Sequence, residues 1–113
     1  MSPLGPGDIV HQGWVLKKRR KKMQGMVSCH LLHYPLSDWA KGFARRYFVL
    51  YKDGLLSYSF GPGKPVRDEL SMSQAAISSA RRSKDIHIDT DKATFHIKCF
   101  NTEEFDAWMT AFR

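Results

Sequence analysis

The sequence predicts a mainly β domain in which seven short antiparallel strands close into a barrel or sandwich capped by one C-terminal α-helix. Three observations carry this. Short segments rich in β-branched and aromatic residues recur at regular spacing, separated by Gly, Pro and Asp-Gly turn signals. The segments IHID and TFHIKCF alternate apolar and polar residues. Only the last stretch changes to a helical period.

Taken in order, residues 1–8 form a Pro/Gly-containing lead expected to be flexible, and residues 9–113 form the domain. Ile9 to Leu16 (IVHQGWVL) reads as the first strand. It runs into Lys17 to Lys22 (KKRRKK), whose mutual repulsion favours water or an anionic partner over a core and marks a loop or a strand exit. Phe43 to Tyr51 is the second strand. Lys52-Asp53-Gly54 is a hairpin turn, because Asp-Gly supplies positive φ angles, and Leu55 to Phe60 returns. After the loop Gly61 to Pro65 come Val66 to Met72, Ala75 to Ser79, Ile86 to Asp89 and Thr94 to Phe100. Ile86, Ile88, Phe95, Ile97 and Cys99 form the expected inward set.

Asn101 is a suitable N-cap with Glu104 three residues on, and Glu103 and Glu104 suit the positive end of a helix dipole. Phe105, Trp108, Met109 and Phe112 fall on one helical face, so this helix must lay an aromatic stripe on something. Laid over one end of a curled sheet, it resolves the edge and core problems of a small barrel together. Trp108 and Trp14 are both expected to be structural.

Length and charge bound the function. The 113 residues, 42% of them hydrophobic, have room for one core and no separate catalytic domain. No apolar run approaches the roughly 20 residues that span a bilayer, and the first residues lack the pattern of a signal peptide, so a cytoplasmic protein peripheral to membranes is expected. Up to Leu50 nine basic residues face two acidic ones, whereas from Tyr51 nine face nine, so the whole excess of +7 forms a positive pole. Cys29 and Cys99 are expected to be reduced.

Other chemistries are weakly signalled. Cys29, His30 and His33 are too close together, without a matching second group, to make a good zinc site, and no metal or cofactor is expected. No nucleophile and base pair, glycine-rich phosphate loop or paired carboxylates stand out, so no enzyme activity is expected. The basic pole lacks the interleaved aromatics that stack bases, so no specific nucleic acid is expected.

Four pieces of the chain, Gly13-Trp14-Val15-Leu16-Lys17-Lys18, Arg45-Arg46-Tyr47-Phe48-Val49-Leu50, Gly54-Leu55-Leu56-Ser57-Tyr58 and Phe105-Asp106-Ala107-Trp108, resemble the landmarks of pleckstrin homology (PH) domains in family order. The phrases GLLSYS and DIHIDTDKATFHIKCFNTEEFDAWMTAFR look most like the PH domain of oxysterol-binding-protein-related lipid-transfer proteins. This resemblance implies a targeting module of a longer protein whose sterol or lipid carrier lies elsewhere. One departure stands out: deleting Met26 to Gly42 would join Gly25 to Phe43 as a smoother match, so about residues 26–42 look inserted between the first two strands. A lineage-specific loop and a translated intron are both open, and the segment allows an extended hairpin or a dimer by strand exchange.

The resemblance also implies a site. Phosphoinositide headgroups carry monoester phosphates, which several converging cations recognise, Lys as a point charge and Arg as a planar fork. Lys17 and Arg46 match the family pair, with Lys18 and Arg45 beside them as headgroup candidates. Arg19, Arg20, Lys21 and Lys22 are auxiliary cations, each adding about 1 kcal/mol of salt-sensitive attraction at an anionic surface. Ala44 stands where another cation is usual, which favours a monophosphate such as phosphatidylinositol 4-phosphate over polyphosphorylated headgroups. The expected partner is therefore a phosphoinositide-containing membrane; a protein partner is the alternative, and KKRRKK also reads as a solvated face or a localisation tract. Met23, Met26, Leu31, Leu32 and Tyr34 can form an apolar wedge for the lipid interface or pack on the barrel or a second copy.

Overall fold

Alternation along the strands decides which side chains go inward. In the computed structural model, which describes residues 8–19 and 42–113, the strands are β1 (Ile9–Lys18), β2 (Phe43–Tyr51), β3 (Leu55–Ser59), β4 (Val66–Ser71), β5 (Ala76–Ala80), β6 (Asp85–Asp89) and β7 (Thr94–Lys98). They form one antiparallel sheet in the order β4-β3-β2-β1-β7-β6-β5, and helix α1 (Thr102–Ala111) follows. Leu70 of β4 and Ile86 and Ile88 of β6 share one cluster with Val15, Phe48 and Trp108, so the sheet is bent over on itself around a common core. The expected seven strands and single helix are thus present, as is the inward set: Ile86, Ile88, Phe95, Ile97 and Cys99 are all buried.

Several strand boundaries differ from the sequence reading by one or two residues. Strand β1 continues through Lys17 and Lys18, because both are still paired with β2, opposite Ala44 and Phe43. Met72–Gln74 forms a 3-10 turn rather than the end of β4, and β5 starts one residue later than expected. At the β2–β3 hairpin only Gly54 takes a positive φ, 92°, while Asp53 uses its carboxylate to accept from the Leu55 N–H at 3.0 Å. Of the two residues expected to turn, one supplies the conformation and the other a hydrogen bond.

Helix α1 begins as its sequence predicts: the Asn101 side chain accepts from the Glu104 N–H at 2.7 Å, and Glu103 and Glu104 occupy the first turn. Its apolar stripe seats Phe105 and Trp108 in the core. The fully buried Trp108 meets the His11 ring edge-on at 4.5 Å and Phe48 at 6.5 Å, and Glu104 lies 3.4 Å from His11. The helix therefore closes the end of the sheet where β1 starts, and among the described residues nothing caps the end where β1 finishes, the open end. Cys99 is a free, buried thiol, its pKa pushed up to about 12 by burial with smaller contributions from Glu104 and Asp85. The inserted-looking segment apart from Gly42, the Cys29-His30-His33 cluster, the Met23 to Tyr34 wedge, any strand exchange there, and Arg20, Lys21 and Lys22 lie outside the described residues. No helix among the described residues is long and apolar enough to cross a membrane.

Because Trp108 fills the core between helix and sheet, Trp108→Ala should cost about 3–5 kcal/mol in urea unfolding. Asn101→Ala, which removes only the cap, should cost about 1 kcal/mol. Equal losses would contradict this division of labour.

Candidate functional site

The register of β1 and β2 sorts the cations. Residues directly opposite one another share a face, and Val15 pairs with Arg46 and Lys17 with Ala44, whereas Leu16 pairs with Arg45 and Lys18 with Phe43. Val15 is in the core, so Lys17 and Arg46 point to the inner side of the bent sheet at its open end. Lys18 and Arg45 start from the outer side. Four neighbouring cations are thereby divided two and two.

Lys17, Arg46 and Tyr58 on the inner side, with Arg19 and Lys18 reaching its rim at the end of β1, line a cleft of about 140 Å³. Lys17 is only 8% exposed, contrary to the expectation that the basic run faces water. Its long aliphatic stem follows the barrel wall, and its ammonium sits 4.9 Å from the Tyr58 ring and 5.0 Å from the Phe95 ring while donating to the Lys18 carbonyl at 3.1 Å. Arg46 donates to the Arg45 carbonyl at 2.6 Å and lays its guanidinium over Phe60 at 4.5 Å. A third arginine, Arg67, stacks on the same ring at 4.7 Å.

Burial lowers the Arg46 pKa from its ordinary value; Tyr58 opposes the shift, and the charges of Arg19 and Arg67 add to it. An arginine does not shed its proton in that situation. Mutual repulsion of this kind is relieved by an anion, so the rim composed of Lys17, Arg19, Arg46 and Arg67 can take a phosphate group.

The outer side is built differently. Arg45 lies over the Trp14 ring at 4.4 Å, and Trp14 packs edge-on against Tyr47 at 5.4 Å. Lys18 lies 5.7 Å from the Phe43 ring, which meets His96 edge-on at 5.0 Å. His96 stacks on His87 at 3.9 Å, and its Nε2 is 2.9 Å from an Asp85 oxygen that also lies 3.5 Å from Lys98. Sequence reasoning did not find Arg67, Tyr58 or Phe60. Tyr58 was legible as part of a landmark phrase, but Arg67 reaches the site only because the β3–β4 pairing slips between Tyr58 and Ser59, placing it in the irregularity.

A bent antiparallel sheet, closed at one end by a helix and rimmed with cations at the other, is the architecture of a small β-barrel module. The family model described as the pleckstrin homology domain matches residues 36–113, and the chain belongs to that family. It is 31% identical over 108 residues to human oxysterol-binding protein-related protein 6, covering 91% of this chain and 10% of that protein. It is 29% identical over 102 residues to oxysterol-binding protein homolog 3 of Saccharomyces cerevisiae, covering 88% of this chain and 8% of that protein. The chain thus spans about a tenth of the length of these relatives. Among solved structures, the carboxyl-terminal PH domain of pleckstrin superposes with a TM-score of 0.68 at 18% identity, covering 92% of this chain and 93% of that one. The same pleckstrin domain in complex with D-myo-Ins(1,2,3,4,5)P5 gives 0.66 at 17% identity, covering 92% and 94%. These likenesses establish the fold, and the relatives agree with the resemblance drawn from the landmark phrases.

The outer cluster carries a pH dependence. Burial would raise the Asp85 carboxyl, but hydrogen bonds from Ser83 and His96 and the charge of Lys98 outweigh it and hold the pKa below 3.8. Burial lowers His96 below 6.5, opposed by Asp85 and reinforced by His87 and Lys18. A depressed carboxylate stabilises the fold above its unfolded pKa and loses that contribution on acidification; a depressed histidine makes the unfolded chain the better proton acceptor below 6.5. Both act in one direction but in successive windows, so the thermal midpoint should decline as pH falls below 6.5 through His96 and decline again below 3.8 as Asp85 protonates, and Asp85→Asn should remove the second step. A midpoint that rises on acidification would contradict the assignment.

Proposed function

We propose that this chain is a phosphoinositide-binding, membrane-targeting module of a sterol- or lipid-transfer protein, acting at the cytoplasmic surface of an organelle or membrane contact site. The observation that carries the reading is the convergence of Lys17 and Arg46 on one cleft, with Arg19 and Arg67 beside them. Lys17 supplies a point charge held in place by aromatic walls, and Arg46 a planar fork for two phosphate oxygens. Ala44, opposite Lys17, adds no charge to the cleft, which favours a single monoester phosphate of the phosphatidylinositol 4-phosphate type over several. The complex of a fold relative, pleckstrin's C-terminal PH domain, with an inositol phosphate supports the same ligand class. Lys18 at the rim of the cleft and Arg45 on the outer face supply attraction without selectivity, and the cations Arg20, Lys21 and Lys22 of the basic run add to it.

A protein partner is the second reading. It is favoured by β5, an uncharged strand at the end of the sheet order whose outer edge has no strand partner among the described residues. A partner held there would still be captured by a chain substituted at both Lys17 and Arg46.

Co-sedimentation at near-physiological salt separates these readings. Vesicles containing phosphatidylinositol 4-phosphate are compared with phosphatidylserine vesicles of equal charge. The unsubstituted chain should prefer the phosphoinositide. Loss of a charged hydrogen-bond partner in Arg46→Ala should weaken that binding by about tenfold to hundredfold, while Arg45→Ala, on the other face, should change it by less than about threefold. Equal binding to both vesicles, unaffected by Arg46→Ala, would leave only a diffuse electrostatic surface.

A further inference from the structure

The connection between β3 and β4 reaches the same open end as the cleft, and it is apolar on both of its sides. Phe60 is 50% exposed beside the inner cleft, and Val66, paired with Ser59, is 56% exposed on the outer side. Between them Pro62 and Pro65 lack the N–H groups that would let the tip extend a sheet. Gly63, at a φ of 77°, turns the chain. The apolar tip is ringed by positive charge: Arg46 and Arg67 stack on Phe60, and Lys64 lies within the tip.

A folded partner would cover one face of such a hairpin and leave the other in water. A fluid surface can take both faces at once. The combination of a half-exposed aromatic ring, a neighbouring aliphatic side chain and guanidiniums lying on the ring suits the boundary between acyl chains and anionic headgroups, where rings sit at the interface and cations meet phosphates. We propose that Phe60 and Val66 form an interfacial anchor: on an anionic lipid surface the β3–β4 tip enters the headgroup boundary while Arg46 and Arg67 stay with the phosphates. This rests on the membrane reading above and adds a second point of contact to it. The apolar contact expected from the sequence at Met23 to Tyr34 is a separate segment.

The test compares the unsubstituted 113-residue chain with Phe60→Ala and Phe60→Leu on phosphatidylinositol 4-phosphate vesicles and on the water-soluble headgroup of the same lipid. Phe60→Ala should weaken vesicle binding by about tenfold and leave affinity for the soluble headgroup within about twofold, while Phe60→Leu retains most vesicle binding. Vesicle binding unchanged in Phe60→Ala overturns the anchor and leaves the headgroup reading standing. An equal loss on vesicles and soluble headgroup, not recovered by Leu, also overturns it, because Phe60 would then only orient Arg46. Failure of the unsubstituted chain to bind the vesicles overturns both.

Discussion

Strand β1 is hydrogen-bonded on both sides, to β2 along nearly its whole length and to β7 near its end. That pairing fixes which residues face inward, and everything at the open end depends on it. A slip of one residue would send Val15 and Lys17 outward and bring Trp14, Leu16 and Lys18 into the core. The fold resists such a slip because His11 and Val15 on the inner face meet the helix and the core, and because Gly13 faces Glu104, where an added Cβ would come within 3.2 Å of the carboxylate. The packing that stabilises one end therefore aligns Lys17 with Arg46 at the other.

The two ends divide the physical work. At the closed end Trp108, Phe105 and Phe48 bury large apolar surfaces, the dominant favourable term in a domain of this size. At the open end, side chains that would be costly in a core are held by weaker interactions: an ammonium between two rings, guanidiniums stacked on Phe60 and Trp14, and a stacked histidine pair beside Asp85. Such contacts orient the charged groups at the edge of the core without taking them into it.

Much of this was legible in the chain. The period of two in Ile86 to Asp89 and Thr94 to Phe100 named five buried residues, and the change of period after Asn101 named the helix, its cap and its core tryptophan. Lys17 and Arg46 were legible through the landmark phrases that carry them. What was not legible is what depends on pairing distant segments. Nothing local to Arg67 shows that an irregularity opposite Tyr58 will carry it to Phe60, and nothing in KKRRKK shows that its first lysine is walled in by Tyr58 and Phe95. Propensity and periodicity report the face a residue prefers; register and curvature decide what it meets there.

The separation of ends also bears on how this barrel tolerates change. The connection between Lys18 and Phe43 leaves and re-enters the sheet at the open end, with the Arg19 N–H donating to the Gly42 carbonyl at 2.6 Å beyond the last paired residues. Once that clasp is made, extra chain beyond it costs mainly the entropy of closing a longer loop, which grows by only about 0.6 kcal/mol for each doubling of length. Lengthening at this point is thus cheap compared with any disturbance around Trp108. Chain can therefore be added at this end of the barrel without its core being repacked.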